Sequence, residues 1–350
     1  MATRAAEHNE SGLRVPLAIV VLVCTTLAIA ILASVSYCFG RARHGELHFF
    51  VWWAPPTIDE ASAVCPVEYA LRTEDKHDVI FVGDSACRTG FDPARFERLT
   101  GLNAFSLASL RGIGAFGFLI TAKAYLIHHP KPAGVVLCVT PICFEADPAL
   151  VGGTLSERFT ANYGPEVAEV VPFVDRVVYF SKRGAWSAFP QGLATHSNLH
   201  GQDVRDLPLS GYKAETYHTL QQKMQESRGF FPLPGSHGPP RGVDVPTGKL
   251  VRPDWDQGIR RLAEICGAAD VALLIQFAPV ASEVAKARDF GPLEAWSHEL
   301  EATYPRTTVA RPIVNVYDAA CMWDCIHLNA AGVEKFAPVV AENVQFALAK

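Results

Sequence analysis

The stretch Val79-Ile-Phe-Val-Gly-Asp-Ser-Ala-Cys-Arg-Thr-Gly-Phe-Asp-Pro93 sets a run of β-favouring apolar residues directly against a Gly-Asp-Ser turn. A short apolar run bounded by a turn reads as a strand buried on both faces, as in a parallel sheet. The residues that follow agree. Phe91-Asp-Pro-Ala-Arg-Phe-Glu-Arg-Leu-Thr-Gly101 has the Asp-Pro start and Gly stop of a helix, and Leu102-Asn-Ala-Phe-Ser-Leu107 is a second short strand. A longer helical stretch runs from about Gly112 to His129 and closes before Pro130.

Two more apolar runs, Ala133-Gly-Val-Val-Leu-Cys-Val-Thr-Pro141 and Ala269-Asp-Val-Ala-Leu-Leu-Ile-Gln-Phe-Ala-Pro279, each end at a proline and read as further buried strands. The chain closes on an amphipathic helix from Ala330, with Asn329 as its cap. This alternation predicts a doubly wound, mainly parallel α/β sheet flanked by helices, a flavodoxin-like three-layer sandwich. Between the third and fourth strands lies an insertion, residues 145–253, with a Pro/Gly-rich tract near its end. A structureless loop of that length does not suit a compact domain. Its first part, including Val171-Pro-Phe-Val-Asp-Arg-Val-Val-Tyr-Phe, is expected to be helical and the Pro/Gly tract to loop over one rim.

Of the 350 residues 49% are hydrophobic and 19% charged, enough for a substantial core, and the formal charge of -5 offers no basic field for nucleic acid. Residues 15–40 contain no charge and exceed the roughly 20 residues that span a bilayer. They also exceed the apolar region of a cleaved signal peptide, about 7 to 15 residues. The expected organisation is therefore an N-terminal tail at 1–14, one transmembrane anchor at 15–40, a linker and lead-in at 41–77 and the α/β domain at 78–350. Arg4 and Arg14 before the anchor balance Arg41 and Arg43 after it, so flanking charge does not orient it.

In an open parallel sheet, ligands bind at the carboxyl ends of the strands, which is where Ser85 stands. A serine hydroxyl becomes nucleophilic when an imidazole accepts its proton and a carboxylate fixes that imidazole. His327 and Asp324, in Asp324-Cys-Ile-His327 ahead of the last helix, supply those types. The competing assignment is a turn serine and a capped helix start. Gly-Asp-Ser after a first strand and Asp-x-x-His before a last helix, in that order, resemble the SGNH/GDSL hydrolase superfamily over about Asp78 to Lys350, apart from the insertion.

The resemblance implies a serine esterase or O-acyltransferase with Ser85, His327 and Asp324 as catalytic residues, and an oxyanion hole from the backbone N–H groups of Ser85 and Gly112, with Gly114 as the alternative to Gly112. It departs at the third donor: Thr140 and Pro141 stand where the family has an asparagine. The chain is also similar to membrane-anchored SGNH-like proteins of bacterial cell-surface polymer acylation. That similarity implies an acylated carbohydrate or envelope polymer as substrate, a membrane acyltransferase as partner, and a domain facing the periplasm or cell exterior. A catalytically silent assembly or polymer-binding protein of the same fold is the alternative, and a lipase or thioesterase a third.

Other motifs carry less. Gly112-Ile-Gly-Ala-Phe-Gly117 spells a dinucleotide fingerprint but follows the second strand and lacks its downstream acid, so no cofactor is expected. His196 and His200 lack a third metal ligand. Cys321, Cys325 and His327 lack a fourth, while Cys321 and Cys325 could form a local disulfide in an oxidising compartment. Arg88, three residues past Ser85, is a candidate for binding an anionic group of the substrate.

Overall fold

The computed structural model describes residues 19–32, 58–145, 159, 217–233 and 251–350. The chain divides into two units, Met1–Phe49 and Phe50–Lys350. In the first, residues 19–32 are helical and exposed throughout. The hydroxyls of Thr25 and Thr26 donate to the carbonyls of Val21 and Leu22 at 2.8 Å, so the helix satisfies its own polar groups. Among the described residues no helix is long and apolar enough to cross a membrane; the rest of the expected anchor, residues 15–18 and 33–40, lies outside them.

The second unit is built on strands β1 (Val79–Gly83), β2 (Ala104–Ser106), β3 (Gly134–Val139), β4 (Ala272–Phe277) and β6 (Thr307–Val309). They form one parallel sheet in the order β2-β1-β3-β4-β6, and all their residues are buried. Alternate side chains serve two cores. Ile80, Val82, Val135, Leu137, Leu273 and Ile275 enter one, and Val79, Phe81, Val136, Cys138 and Leu274 the other. The first core is covered by α1 (Ile58–Arg72), α4 (Gly114–His128), α6 (Pro253–Ala268) and α8 (Gly291–Thr303), with Trp255 fully buried at its centre. The second is covered by α2 (Ser85–Gly90), α3 (Pro93–Thr100) and α9 (Ala330–Leu348). A short helix, α7 (Ser282–Lys286), and a two-stranded parallel sheet of β5 (Val280–Ala281) and β7 (Val316–Tyr317) complete the fold.

Where local signals were strong, the elements lie where the sequence predicts. Asp92 caps α3 by accepting from the N–H groups of Ala94 and Arg95, and Gly101 ends it at φ 73°. Asn329 caps α9. The sheet has one strand more than the four apolar runs predict, because β6 is three residues long and two of them are threonines. Within the expected lead-in, α1 is a buried helix despite an internal Pro66.

The expected helical part of the insertion and its Pro/Gly tract lie outside the described residues, apart from Phe159, which is buried, and helix α5 (Tyr217–Glu226), which packs on α1. The N–H of Arg252 donates to the Phe144 carbonyl at 3.0 Å, so the insertion leaves and re-enters at one point beyond β3. A buried ion pair between Arg288 and Glu145 seals that junction.

His77, just before β1, is buried and lies 3.0 Å from the Tyr125 hydroxyl. Burial pushes its imidazole down to about 4, against the opposing pull of Asp75. The folded chain therefore keeps His77 neutral where the unfolded chain protonates it, below an ordinary value of about 6.5. Its contribution is complete above that pH and is lost as pH falls from about 6.5 towards 4, by about 2 to 3 kcal/mol at 1.36 kcal/mol per unit. Urea denaturation at pH 7 and pH 5 should show this loss, and His77→Gln should flatten it; an unchanged pH slope in His77→Gln would refute the assignment.

Candidate functional site

The site forms where β1 ends. A Cβ on Gly83 would meet the Cys138 carbonyl oxygen at 1.7 Å, so only glycine lets β1 approach β3 this closely as the chain turns. Asp84 then caps α2. Its Oδ1 accepts from the N–H groups of Ala86 at 3.0 Å and Cys87 at 3.4 Å. Its Oδ2 accepts from the N–H of Thr140 at 3.0 Å, the Thr140 hydroxyl at 2.8 Å and the Cys143 thiol at 3.0 Å. Asp84 is buried, and its carboxylate joins the turn after β1 to the turn after β3. Burial and the Asp84 charge push the Cys143 thiol well above its ordinary value, which keeps it protonated as a donor.

Ser85 is the first residue of α2 and is partly exposed. Its Oγ lies 2.9 Å from His327 Nε2, and His327 Nδ1 lies 2.7 Å from Asp324 Oδ2. With the Nδ1 proton donated to Asp324, the Nε2 lone pair is left to accept the serine proton. The Asp-x-x-His spacing works because the segment is an Asx turn: Asp324 Oδ1 accepts from the N–H groups of Ile326 at 2.8 Å and His327 at 2.7 Å. A bond from Trp323 N–H to the His327 carbonyl and an antiparallel bridge between Met322 and Leu328 close the loop. Asn329 holds it to α9, accepting from Gly332 N–H and donating to the carbonyls of Ala320 and Met322.

His327 is 18% and Asp324 31% exposed, so the pair is accessible from one side. Burial would raise the Asp324 carboxyl, but the His327 hydrogen bond and charge, together with the two N–H groups, outweigh it and hold the carboxyl below its ordinary value. Asp324 thus stays ionised into mildly acid solution. The Cys325 thiol beside it is pushed up by burial to about 11 and is a poor nucleophile at neutral pH.

Gly112 lies in a buried 3₁₀ turn, Arg111–Ile113, reached through Ser109, whose N–H donates to the Gly83 carbonyl at 2.8 Å. Among the described residues neither the Ser85 N–H nor the Gly112 N–H meets an acceptor, whereas the Gly114 N–H is bonded to the Arg111 carbonyl. The Arg88 guanidinium stacks 4.2 Å over the Phe231 ring, and the Arg88 carbonyl accepts from Phe231 N–H at 3.0 Å.

His327 contacts Ser85 through Nε2 and Asp324 through Nδ1, and Cys321 and Cys325 are free thiols. His196 and His200 lie outside the described residues. Thr140 and Cys143, 56 and 59 residues from Asp84 in the chain, hold its carboxylate, a role with no local signal in the sequence. No protein-family model matches the chain, and no curated protein matches it closely enough to count as a relative.

Proposed function

We propose that this chain is a membrane-anchored, SGNH-like serine acyl-esterase or O-acyltransferase acting outside the cytoplasmic membrane on an acylated carbohydrate or envelope polymer. The contact of Ser85 Oγ with His327, itself held by Asp324, carries the reading. In the first half-reaction Ser85 Oγ attacks the acyl carbon while its proton passes to His327 Nε2. The bond from the acyl carbon to the sugar oxygen breaks, and His327 returns the proton to that oxygen. In the second half His327 deprotonates water or a sugar hydroxyl, which attacks the acyl carbon; the bond to Ser85 Oγ breaks, and His327 returns the proton to Oγ.

The Ser85 and Gly112 N–H groups, without acceptors among the described residues, are the oxyanion donors of this scheme. Asp324, held ionised, stabilises the imidazolium at each step. One observation favours a catalytically silent assembly protein instead. Thr140 directs both its donors to Asp84 at the place where the family's third oxyanion donor is expected.

A charged, membrane-impermeant fluorophosphonate tests both the chemistry and the sidedness. Added to intact cells, it should label the full-length chain at Ser85, and Ser85→Ala should abolish labelling. Labelling that appears only after lysis would place the domain inside the cell and remove envelope polymers as substrates. An unlabelled chain under both conditions would end the enzyme reading.

A further inference from the structure

Trp323 immediately precedes Asp324 in the loop that returns at His327. Its N–H donates to the His327 carbonyl at 2.8 Å, and the bridge between Met322 and Leu328 closes the loop behind it, so the backbone fixes where the indole begins. The ring stands beside the base itself. The centroids of the Trp323 and His327 rings are 6.4 Å apart, with the ring planes at 76°. Trp255 and Trp296 fill the first core, whereas Trp323 is partly buried and, among the described residues, belongs to neither core. The loop that carries the Asp324–His327 pair therefore also holds a large aromatic ring at the edge of the Ser85 site.

The proton path tells which part of an ester this ring borders. His327 Nε2, 2.9 Å from Ser85 Oγ, serves the oxygen that leaves in the first half-reaction and the oxygen that attacks in the second. Both oxygens belong to the alcohol part. The carbonyl oxygen turns instead to the Ser85 and Gly112 N–H groups. A ring beside the imidazole thus borders the alcohol subsite. An indole offers a broad, flat apolar face, and the surface that matches it is the C–H face of a pyranose, which lies flat on the ring and takes apolar area of both partners out of water. A short acyclic alcohol covers little of that face, and water none.

We infer that Trp323 is the platform of the alcohol subsite, and that a pyranose ring lies against it, as the leaving alcohol in the first half-reaction and as the acceptor in the second. This rests on the serine-acyl reading given above.

The test uses the purified full-length chain and two kinds of acetate: mono-O-acetylated methyl gluco-, galacto- and mannopyranosides, and ethyl acetate, which carries the same acyl group on an alcohol too small to cover an indole. For at least one pyranoside, the ratio of its kcat/KM to that of ethyl acetate should fall by about 10-fold or more in Trp323→Ala, mainly through KM. Trp323→Phe, which keeps a smaller flat face, should retain part of the ratio. The bonds that close the loop come from the Trp323 backbone and from Asp324, so both variants should keep the turn.

A ratio unchanged in Trp323→Ala would overturn the inference. So would an equal loss on the pyranosides and ethyl acetate, which would make Trp323 a residue that positions His327. A loss that grows from the acetyl to the butyryl ester of one sugar would also overturn it, by placing the indole on the acyl side. Calorimetric titration of the acetylated pyranosides into Ser85→Ala and Ser85→Ala/Trp323→Ala reads sugar binding without turnover. Binding that needs Trp323, in a chain showing no Ser85-dependent turnover, would leave the sugar platform standing and remove the enzyme reading. Ser85-dependent turnover with pyranoside binding indifferent to Trp323 would do the reverse.

Discussion

Ser85→Ala and His327→Ala should each lower acyl turnover by a factor on the order of 10⁴ to 10⁶, and the double variant should be scarcely worse than either. The two groups act as one unit across the 2.9 Å contact, so removing the base from a serine, or the serine from its base, removes the same step. Asp324→Asn should lose less, on the order of 10⁴. An amide oxygen can still accept from the Ile326 and His327 N–H groups, but an amide nitrogen facing Nδ1 forces the wrong tautomer on the ring. Initial rates on an acetylated sugar give these ratios. Additive losses in the double variant would show that the pair does not act in one step. In cells carrying only Ser85→Ala, normal levels of cell-surface acyl groups would favour the silent assembly protein.

Asp84→Ala should destabilise the folded domain by about 2 to 5 kcal/mol, a lost helix cap contributing about 0.5 to 2 kcal/mol and buried donors left without their acceptor about 1 to 3 kcal/mol. The substitution takes away the cap of α2 and leaves the Thr140 N–H, the Thr140 hydroxyl and the Cys143 thiol without their acceptor in a buried site. Thr140→Val removes one donor and keeps the volume, so it should cost about 1 to 2 kcal/mol. The two changes should be less than additive, because the hydroxyl has nothing left to lose once Asp84 is gone. Urea unfolding of the full-length chain, followed by tryptophan fluorescence, measures both. A loss below about 1 kcal/mol in Asp84→Ala would mean that the carboxylate is not the joint between the two turns. Turnover should fall as well, since Asp84 holds the turn that aims Ser85.

Much of this architecture is local and was legible in the chain. The runs Val79–Gly83, Gly134–Val139 and Ala272–Phe277 are apolar at nearly every position because both faces of a parallel strand are buried, and Asp92, Gly101 and Asn329 mark helix ends through their own backbone chemistry. The Asx turn that folds His327 back on Asp324 is likewise complete within four residues. Strand β6 and helix α1 were not legible. Thr307 and Thr308 are polar residues buried by their neighbours, and Pro66 argues against a helix that packing nevertheless sustains.

For the site, the sequence by itself determined the types of the reacting groups and the order in which they occur. Tertiary structure decided that Ser85 and His327, 242 residues apart, meet at hydrogen-bond distance, because the parallel order β2-β1-β3-β4-β6 collects the turns after successive strands along one edge of the sheet. It also decided that Thr140 supports Asp84 and that Arg88 stacks on Phe231. Each of these depends on which side chains surround a group in space, and local backbone preference carries no record of neighbours that arrive from distant strands.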